Sequence, residues 1–568
     1  MAVWMDRNTL TVSQMGGEGA AWIGLAAHTG TRHVFTNMGD GTYFHSGLLA
    51  IRAAVAANVN ITYKILYNDA VAMTGGQPMD GPLSVPQLTR QMESEGVCRI
   101  VVMTDEPEKY ERESGFAAGV AVRHRDDLEA VQRELRQVSG VTALIYDQTC
   151  AAEKRRRRKR GAYPDPARRV VINELVCEGC GDCSVKSNCL AVVPVESEFG
   201  RKRAIDQSAC NKDYSCLDGM CPSFVTVEGG SVRKGKAAAP GAGRTGALAP
   251  LPEPQRPATA QPWNILVTGV GGTGVVTIGA LLGMAAHLEG KGVSVVDMTG
   301  LAQKGGAVYS HVRIADRPDA IHSASIAAGE ADAVVGCDLI ATVAAEPIER
   351  MCAGATRAVV NVSPAITGDF IGNPDWRYPL AAMEDEVREA LGAGNAAFID
   401  ATRLATSLMG DAIATNLFML GFAYQKGLVP AGADAILRAV ELNGTAIEMN
   451  KTAFGWGRRA ACDPAAVEAV ALPATAQSEH SRESRNLDEV IERRVRFLTD
   501  YQDQGYARRY RELVERTRQA ERAVTGGSSA PAEALTKTLT EAVARGYFRL
   551  LAYKDEYEVA RLYTDGRF

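Results

Sequence analysis

His33-Val-Phe-Thr-Asn-Met-Gly39-Asp40-Gly41-Thr-Tyr-Phe-His45, followed by SGLLAIRAAVAA at 46–57 and then by Asn60-Ile-Thr-Tyr-Lys-Ile-Leu-Tyr-Asn68-Asp69-Ala70, decides the fold. Two β-branched, aromatic-rich runs flank an alanine- and leucine-rich stretch of helical character, so the order reads strand, glycine turn, helix, strand. RIVVMTD at 99–105 and VTALIYD at 141–147 continue the pattern. Near-continuous apolar strands separated by helices are the grammar of a parallel sheet covered on both faces. Residues 1–150 are therefore expected to form one α/β domain.

In such a sheet two adjacent strands deliver their C-terminal ends to a common crevice, where ligands bind. Asp40 and Asn68, 28 residues apart, fall at two such ends. Mg²⁺ prefers hard oxygen donors and shares them with phosphate, so the Asp40 carboxylate, the Asn68 amide oxygen and a backbone carbonyl at Ala70 suit it. Gly39 and Gly41 let the backbone approach a diphosphate. This strand, GDG, helix, strand and Asn string, with the tail NDAVAMTGGQ at 68–77, resembles the diphosphate-binding motif of thiamine-dependent enzymes. A tight acidic turn is the competing reading. His45, just inside the following helix, is either a proton-transfer group or a packed, hydrogen-bonding residue. Glu18, in Met15-Gly-Gly-Glu-Gly19, either faces a substrate or caps the next helix.

Of twelve cysteines, seven lie between Cys177 and Cys221. Cys177-x2-Cys180-x2-Cys183 lets one loop wrap three corners of a 4Fe-4S cubane, with Cys221, followed by Pro222, as the fourth thiolate. Cys189, Cys210 and Cys216 remain for a second cluster. Its fourth ligand is open between Asp213, Asp218, a group from elsewhere, or none if the cluster has three irons. Two zinc sites are the alternative.

Gly269-Val-Gly271-Gly-Thr-Gly274 follows the strand NILVTGV and opens a helix, and Asp297 ends the next strand. Locally this is a dinucleotide fingerprint, with an acid placed for a ribose. The competing reading gives Gly269, Gly271 and Gly274 to close packing or to another phosphate-bearing ligand.

The 568 residues, 46% hydrophobic and 23% charged, leave room for roughly four domains of about 150 residues each. The expected division is 1–150, a thiamine diphosphate-binding domain; 151–228, a ferredoxin-like module; 229–262, a flexible linker rich in Gly, Ala and Pro; 263–470, a Rossmann-like α/β domain; and 471–568, a charged amphipathic helical extension. The chain thus reads as a multidomain α/β protein. The basic run Lys154–Arg160 reads as a solvated boundary. A balance of 67 acidic against 62 basic residues, net −5, provides no bulk field for nucleic acid or acidic lipid. No apolar run reaches the ~18 residues of a membrane span, and Met1–Arg7 has no signal-peptide pattern, so no membrane association and a cytoplasmic location are expected.

Taken together, GDGTYFHSG at 39–47, NITYKILYNDAVAMTGGQP at 60–78, VCEGCGDCSVKSNCL at 176–190, CNKDYSCLDGMCPSF at 210–224 and GVGGTGVVTIGALLGMAA at 269–286 resemble the 2-oxoacid:ferredoxin oxidoreductase family, especially its fused bacterial indolepyruvate type. WMDRNT at 4–9, QMGGEG at 14–19, FLTDYQDQGYARRY at 497–510 and LAYKDEYEVARLY at 551–563 extend the likeness to nearly the whole chain. The resemblance implies oxidative decarboxylation of an aryl pyruvate to its acyl-CoA, with thiamine diphosphate and Mg²⁺ as cofactors and electrons passing through iron–sulfur clusters to ferredoxin. It associates the 263–470 domain with coenzyme A. It also implies a pyrimidine-binding domain, expected on a partner chain in an oligomer, and hence that this chain is a split subunit or fragment. Two other readings use the same residues: an NAD(P)-dependent iron–sulfur oxidoreductase built on Gly269–Gly274 and Asp297, and a non-catalytic electron-transfer subunit.

Overall fold

The computed structural model describes residues 8–9, 11–70, 81, 83–110, 115–230, 250–298, 306–365, 367, 370, 373, 375–471, 484–524, 539–566 and 568. These divide into two compact units, one built on the chain up to Asp165, with Val270–Gly272 and the stretch ending at Val308 grouped with it, and one on the remainder from Pro166.

Among the described residues of the first unit, β1 (Val34–Gly39), β2 (Ile61–Tyr67), β3 (Arg99–Thr104), β4 (Ala121–His124) and β5 (Val141–Asp147) form one sheet in the order β1-β2-β5-β3-β4. All four neighbouring pairs are parallel. The apolar runs of β2 and β5 take the central places and are buried along most of their length. Helices α1 (Leu48–Ala56) and α2 (Val85–Ser94) cover one face, where Ile51, Tyr63, Ile65 and Met92 form the core. Ser84 starts α2 with a capping box: its side chain accepts from Gln87 N, and the Gln87 amide oxygen accepts from Ser84 N. On the opposite face Val101, Met103 and Leu144 pack against Val131 and Leu135 of α3 (Leu128–Leu135).

The basic run is not a solvated spacer. It lies in α4 (Ala151–Lys159), with Glu153 and Lys154 buried. The like charges tolerate one another because carboxylates face them: Lys154 Nζ is 2.7 Å from Asp105, and Arg157 Nε is 2.9 Å from Glu153, an i,i+4 pair.

In the second unit, β6 (Arg169–Ile172) pairs antiparallel with β9 (Phe224–Val227), and β7 (Val192–Val195) with β8 (Lys202–Ile205). Among its described residues a larger sheet runs β11-β12-β10-β13-β14-β15, made of β10 (Trp263–Val270), β11 (Gly292–Met298), β12 (Ala307–Ala315), β13 (Ala333–Gly336), β14 (Arg357–Asn361) and β15 (Ala396–Ile399). β10, β13, β14 and β15 are parallel, whereas β11 and β12 pair antiparallel. The glycine turn leads into α5 (Val275–Leu288). Two further helices, α6 (Thr415–Gln425) and α7 (Ile447–Cys462), touch backbone to backbone: a Cβ on Gly457 would stand 1.9 Å from the Phe418 carbonyl oxygen.

Of the expected linker, 231–249 lies outside the described residues. The part from 250 to 262 is docked rather than free. Arg458 Nη2 is 2.8 Å from Glu253, Gln425 donates to the Pro252 carbonyl, and Asp316 N donates to the Thr259 carbonyl.

The chain closes with α8 (Leu487–Tyr501), α9 (Gln504–Val524), α10 (Leu539–Leu551) and α11 (Glu556–Thr564). Their apolar faces do not bury one another alone. Val176 belongs to the same core as Phe497, Leu498, Tyr510 and Phe548, and Leu175 and Phe199 pack against it. At its edge the buried Arg494 guanidinium pairs with buried Glu198 and donates to the Glu198 carbonyl at 2.9 Å. No described helix is long and apolar enough to cross a membrane.

Candidate functional site

At the C-terminal ends of β1 and β2 the Asp40 carboxylate ties the two strands together. One oxygen accepts from Gly41 N (2.8 Å), the other from Asn68 N (2.9 Å) and Asp69 N (3.0 Å). The group is 5% exposed. Burial pushes its pKa up, and the three backbone donors pull against that shift.

Three observations match the chemistry of a divalent cation and a diphosphate. Among the described residues the Asn68 Oδ1 atom is buried without a hydrogen-bond partner, a costly state for an amide oxygen that a cation ligand relieves. Among the described residues a Cβ on Gly39 would meet no atom within 4 Å, so the glycine is not demanded by packing against them. Asp69 holds a left-handed φ of 57°, turning the chain just before the buried Ala70. Residues 71–77 of the tail lie outside the described residues.

The Gly16–Gly19 turn lies against the segment that carries His45, since a Cβ on Gly16 would stand 2.1 Å from Ser46 Oγ. Glu18 does not cap the following helix. Gly19 is the N-cap of Ala20–Leu25, without a side-chain cap, and the Glu18 carboxylate instead accepts from Gly16 N at 2.7 Å. His45 is exposed on a π-helical turn, its Nδ1 3.1 Å from Ser46 Oγ.

Arg157 was missed from sequence. Its guanidinium holds both the Asp69 carboxylate (2.9 Å) and the Asp69 carbonyl (3.1 Å), fastening α4 to the Asn68–Asp69 turn. The readable signal was Glu153 four residues ahead of Arg157, a helical pair inside an otherwise repulsive run.

The cysteines fall into two sets, and the ribbons explain why. Ile172 pairs with Phe224, so Cys177 and Cys221 leave the β6–β9 ribbon at the same end. Val192 pairs with Ile205, so Cys189 and Cys210 leave the β7–β8 ribbon together. Cys177, Cys180 and Cys183 are close enough to influence one another's charge, as are Cys189, Cys210 and Cys216, and Asp213 adds a carboxylate to the second set. Cys221 Sγ lies 3.0 Å from Ser223 Oγ.

Gly179 N donates to Cys177 Sγ at 3.3 Å, and Gly179 is obligatory there: its φ is 71° and a Cβ would stand 2.2 Å from the Arg201 carbonyl oxygen. Burial, then the neighbouring thiols, push Cys216 up to about 12. Such thiols stay protonated until a metal core displaces the proton. Among the described residues no three His, Cys, Asp or Glu side chains are grouped closely enough to hold a metal ion.

Basic groups surround the first set, again unread from sequence. Lys202 Nζ donates to the Cys177 carbonyl at 2.7 Å, and burial followed by repulsion from Lys554 pushes its pKa down to about 8. Buried Arg203 stacks its guanidinium 4.6 Å over Phe370. Beside them lies a cavity of about 270 Å³ walled by Phe199, Phe497 and Phe548.

The glycine fingerprint has a different geometry from its local appearance. β12 stands between β10 and β11, so Asp297 is two strands away from the glycine turn, roughly 10 Å at the usual strand spacing. Gly271 N is already bound to the Gly306 carbonyl at 2.8 Å. Gly269 is required for packing, since a Cβ there would stand 2.6 Å from Val275 Cγ2. Gly274 caps α5 at a φ of 103°.

Comparison with known proteins agrees with this layout. Residues 3–145 match the family described as Thiamine pyrophosphate enzyme, C-terminal TPP binding domain; 264–460 match Pyruvate ferredoxin/flavodoxin oxidoreductase; and 487–568 match a Family of unknown function (DUF6537). The indolepyruvate oxidoreductase subunit IorB of Pyrococcus horikoshii is 30% identical over 202 residues, 35% of this chain and 96% of that one. Subunit IorA of Thermococcus kodakarensis is 27% identical over 193 residues, 33% of this chain and 27% of that one. The solved pyruvate oxidoreductase subunit PORC of Thermotoga maritima shares 22% identity, with 35% of this chain and 96% of that one covered and a TM-score of 0.26. With the IorB likeness spanning nearly that whole subunit, and thiamine-binding and oxidoreductase families matched in succession along one polypeptide, this chain belongs to the 2-oxoacid:ferredoxin oxidoreductase family.

Proposed function

We propose that the chain, together with a partner carrying a pyrimidine-binding domain, catalyses the coenzyme A-dependent oxidative decarboxylation of an aryl pyruvate of the indolepyruvate class and passes the electrons to ferredoxin. The observation that carries the proposal is the convergence of Asp40 with the partnerless Asn68 amide oxygen at two parallel strand ends, in a chain that also assembles two sets of cysteines. When bound, thiamine diphosphate supplies the electron sink for decarboxylation and the iron–sulfur clusters accept electrons one at a time.

Asp40, Asn68 and the Ala70 carbonyl hold Mg²⁺, and Gly39 and Gly41 admit the diphosphate. Glu18 and His45 belong to turns that meet beside this crevice and act on protons of the substrate. Cys177, Cys180, Cys183 and Cys221 hold one 4Fe-4S cluster; Cys189, Cys210 and Cys216 hold a second, with Asp213 as the nearby carboxylate. Gly269 by packing on Val275, Gly271 by its bond to the Gly306 carbonyl and Gly274 by capping α5 shape the coenzyme A-associated domain. A partner chain also fits the exposed Phe35, Phe44, Leu49 and Leu66 on β1, β2 and the segment between them.

The test is anaerobic viologen reduction by indolepyruvate, dependent on coenzyme A, with this chain alone and then mixed with a chain supplying the pyrimidine domain. Activity confined to the mixture is expected. No activity in either, with clusters intact and thiamine diphosphate absent, would leave an electron-transfer subunit.

A further inference from the structure

The four C-terminal helices have no place in the chemistry described so far, yet they reach both ends of the first cysteine set. Lys554, between α10 and α11, brings Nζ to 3.3 Å from the Cys177 carbonyl oxygen and 3.4 Å from that of Val176. From α11, Tyr563 donates its hydroxyl hydrogen to the Pro222 carbonyl at 2.6 Å, next to Cys221. Asn173, four residues ahead of Cys177, donates in turn to the Leu562 carbonyl at 3.4 Å. Val176 itself sits in the helices' core.

Lys554 also brings a charge. It stands with Lys202 at the same carbonyl, so two ammonium groups meet the backbone of one cysteine. Its ion-pair partner Glu178, 2.7 Å away, does not cancel this effect: the Glu178 side chain is 63% exposed and solvated, whereas that of Lys554 is 12% exposed. Water screens the carboxylate more than it screens the ammonium.

We propose that the C-terminal helical segment caps the first cysteine set, and that Lys554 is a positioning residue whose charge raises the reduction potential of the cluster held there. The inference rests on the assignment of a 4Fe-4S cluster to Cys177, Cys180, Cys183 and Cys221. Reduction adds one electron to the cluster and no proton, so a fixed cation nearby favours the reduced form. The segment thereby sets which electron donors and acceptors the first cluster can exchange with.

The experiment is an anaerobic dithionite titration of the full chain with viologen mediators, read by EPR of the reduced clusters, on wild type, Lys554→Gln and Lys554→Arg. Gln keeps donors for the two carbonyls but loses the charge. Lys554→Gln is expected to lower the reduced-to-oxidised ratio of one cluster about tenfold at fixed potential, close to 59 mV for one electron. The other cluster should stay in place and the iron content should be unchanged. Lys554→Arg is expected to stay within about twofold of wild type. An unchanged ratio in Lys554→Gln, or an equal fall in both variants, overturns the role of the charge while leaving the cluster assignment standing. A wild-type chain that takes up no iron–sulfur cluster overturns both.

Discussion

Arg157 and Asp69 are joined twice, through carboxylate and carbonyl, across 88 residues of chain. The pair fixes the turn that presents Asn68. Arg157 is 27% and Asp69 52% exposed, so the ion pair itself stabilises by no more than about 1 kcal/mol. Arg157→Gln should leave the unfolding midpoint nearly unchanged. Affinity for thiamine diphosphate, measured by isothermal titration in Mg²⁺ buffer, should weaken by up to about fivefold. A double-mutant cycle with Asp69→Asn should show that the two losses are not additive.

Asn68→Ala should separate stability from binding. Because Oδ1 is buried and unsatisfied without a ligand, removing it is expected to leave the ligand-free protein as stable or more stable by about 1 kcal/mol in urea denaturation. Retention of thiamine diphosphate after gel filtration should fall at least about tenfold. A substitution that destabilises the ligand-free protein would instead mark Asn68 as structural.

Arg494→Met leaves the Glu198 carboxylate buried, where Ser484 N still donates to it at 2.7 Å but the guanidinium is gone. The cost should be about 3–5 kcal/mol, and the double variant with Glu198→Met should recover much of it. Limited proteolysis should show residues on both sides of the pair, near Phe199 and in α8, becoming accessible together.

His311, 1% exposed, accepts a hydrogen bond from Ile326 N through Nδ1, and so is neutral at that nitrogen. Burial, then the Arg350 charge, lower its pKa below the ordinary 6.5. The unfolded chain therefore binds a proton before the folded one does. Stability should be complete above pH 6.5 and decline as pH falls below it, by at most about 1.4 kcal/mol per pH unit. His311→Gln should flatten that part of the urea stability profile.

The sequence was most legible where side chains alternate between strand and helix character in long runs. β2 and β5 were readable because their apolar runs are continuous, and the Asp40–Asn68 relation followed from strand order alone. β4, four residues long and half-buried throughout, gave no such signal. The placement of β12 between β10 and β11 was illegible, because a local fingerprint says nothing about which strand is inserted beside it. The basic run misled for the opposite reason: Glu153 beside it was readable, but Asp69 and Asp105, which face Arg157 and Lys154, are distant in the chain, so most of its neutralisation was not visible. Lys202 and Lys554 likewise reach Cys177 from 25 and 377 residues away.

The core shared by Val176 and the last four helices gives biosynthesis an order of events. On a ribosome adding roughly 5–20 residues per second, Leu487 follows Cys221 after about 270 residues, or roughly 15–55 s. During that interval Leu175, Val176 and Phe199 have no helices to pack against. The cysteine segment is therefore the earliest part of the second unit to emerge and among the last to be completed. Under the proposed cluster assignment, metal delivered during synthesis would meet cysteines that the last four helices do not yet cover, whereas metal delivered afterwards would have to pass the finished core.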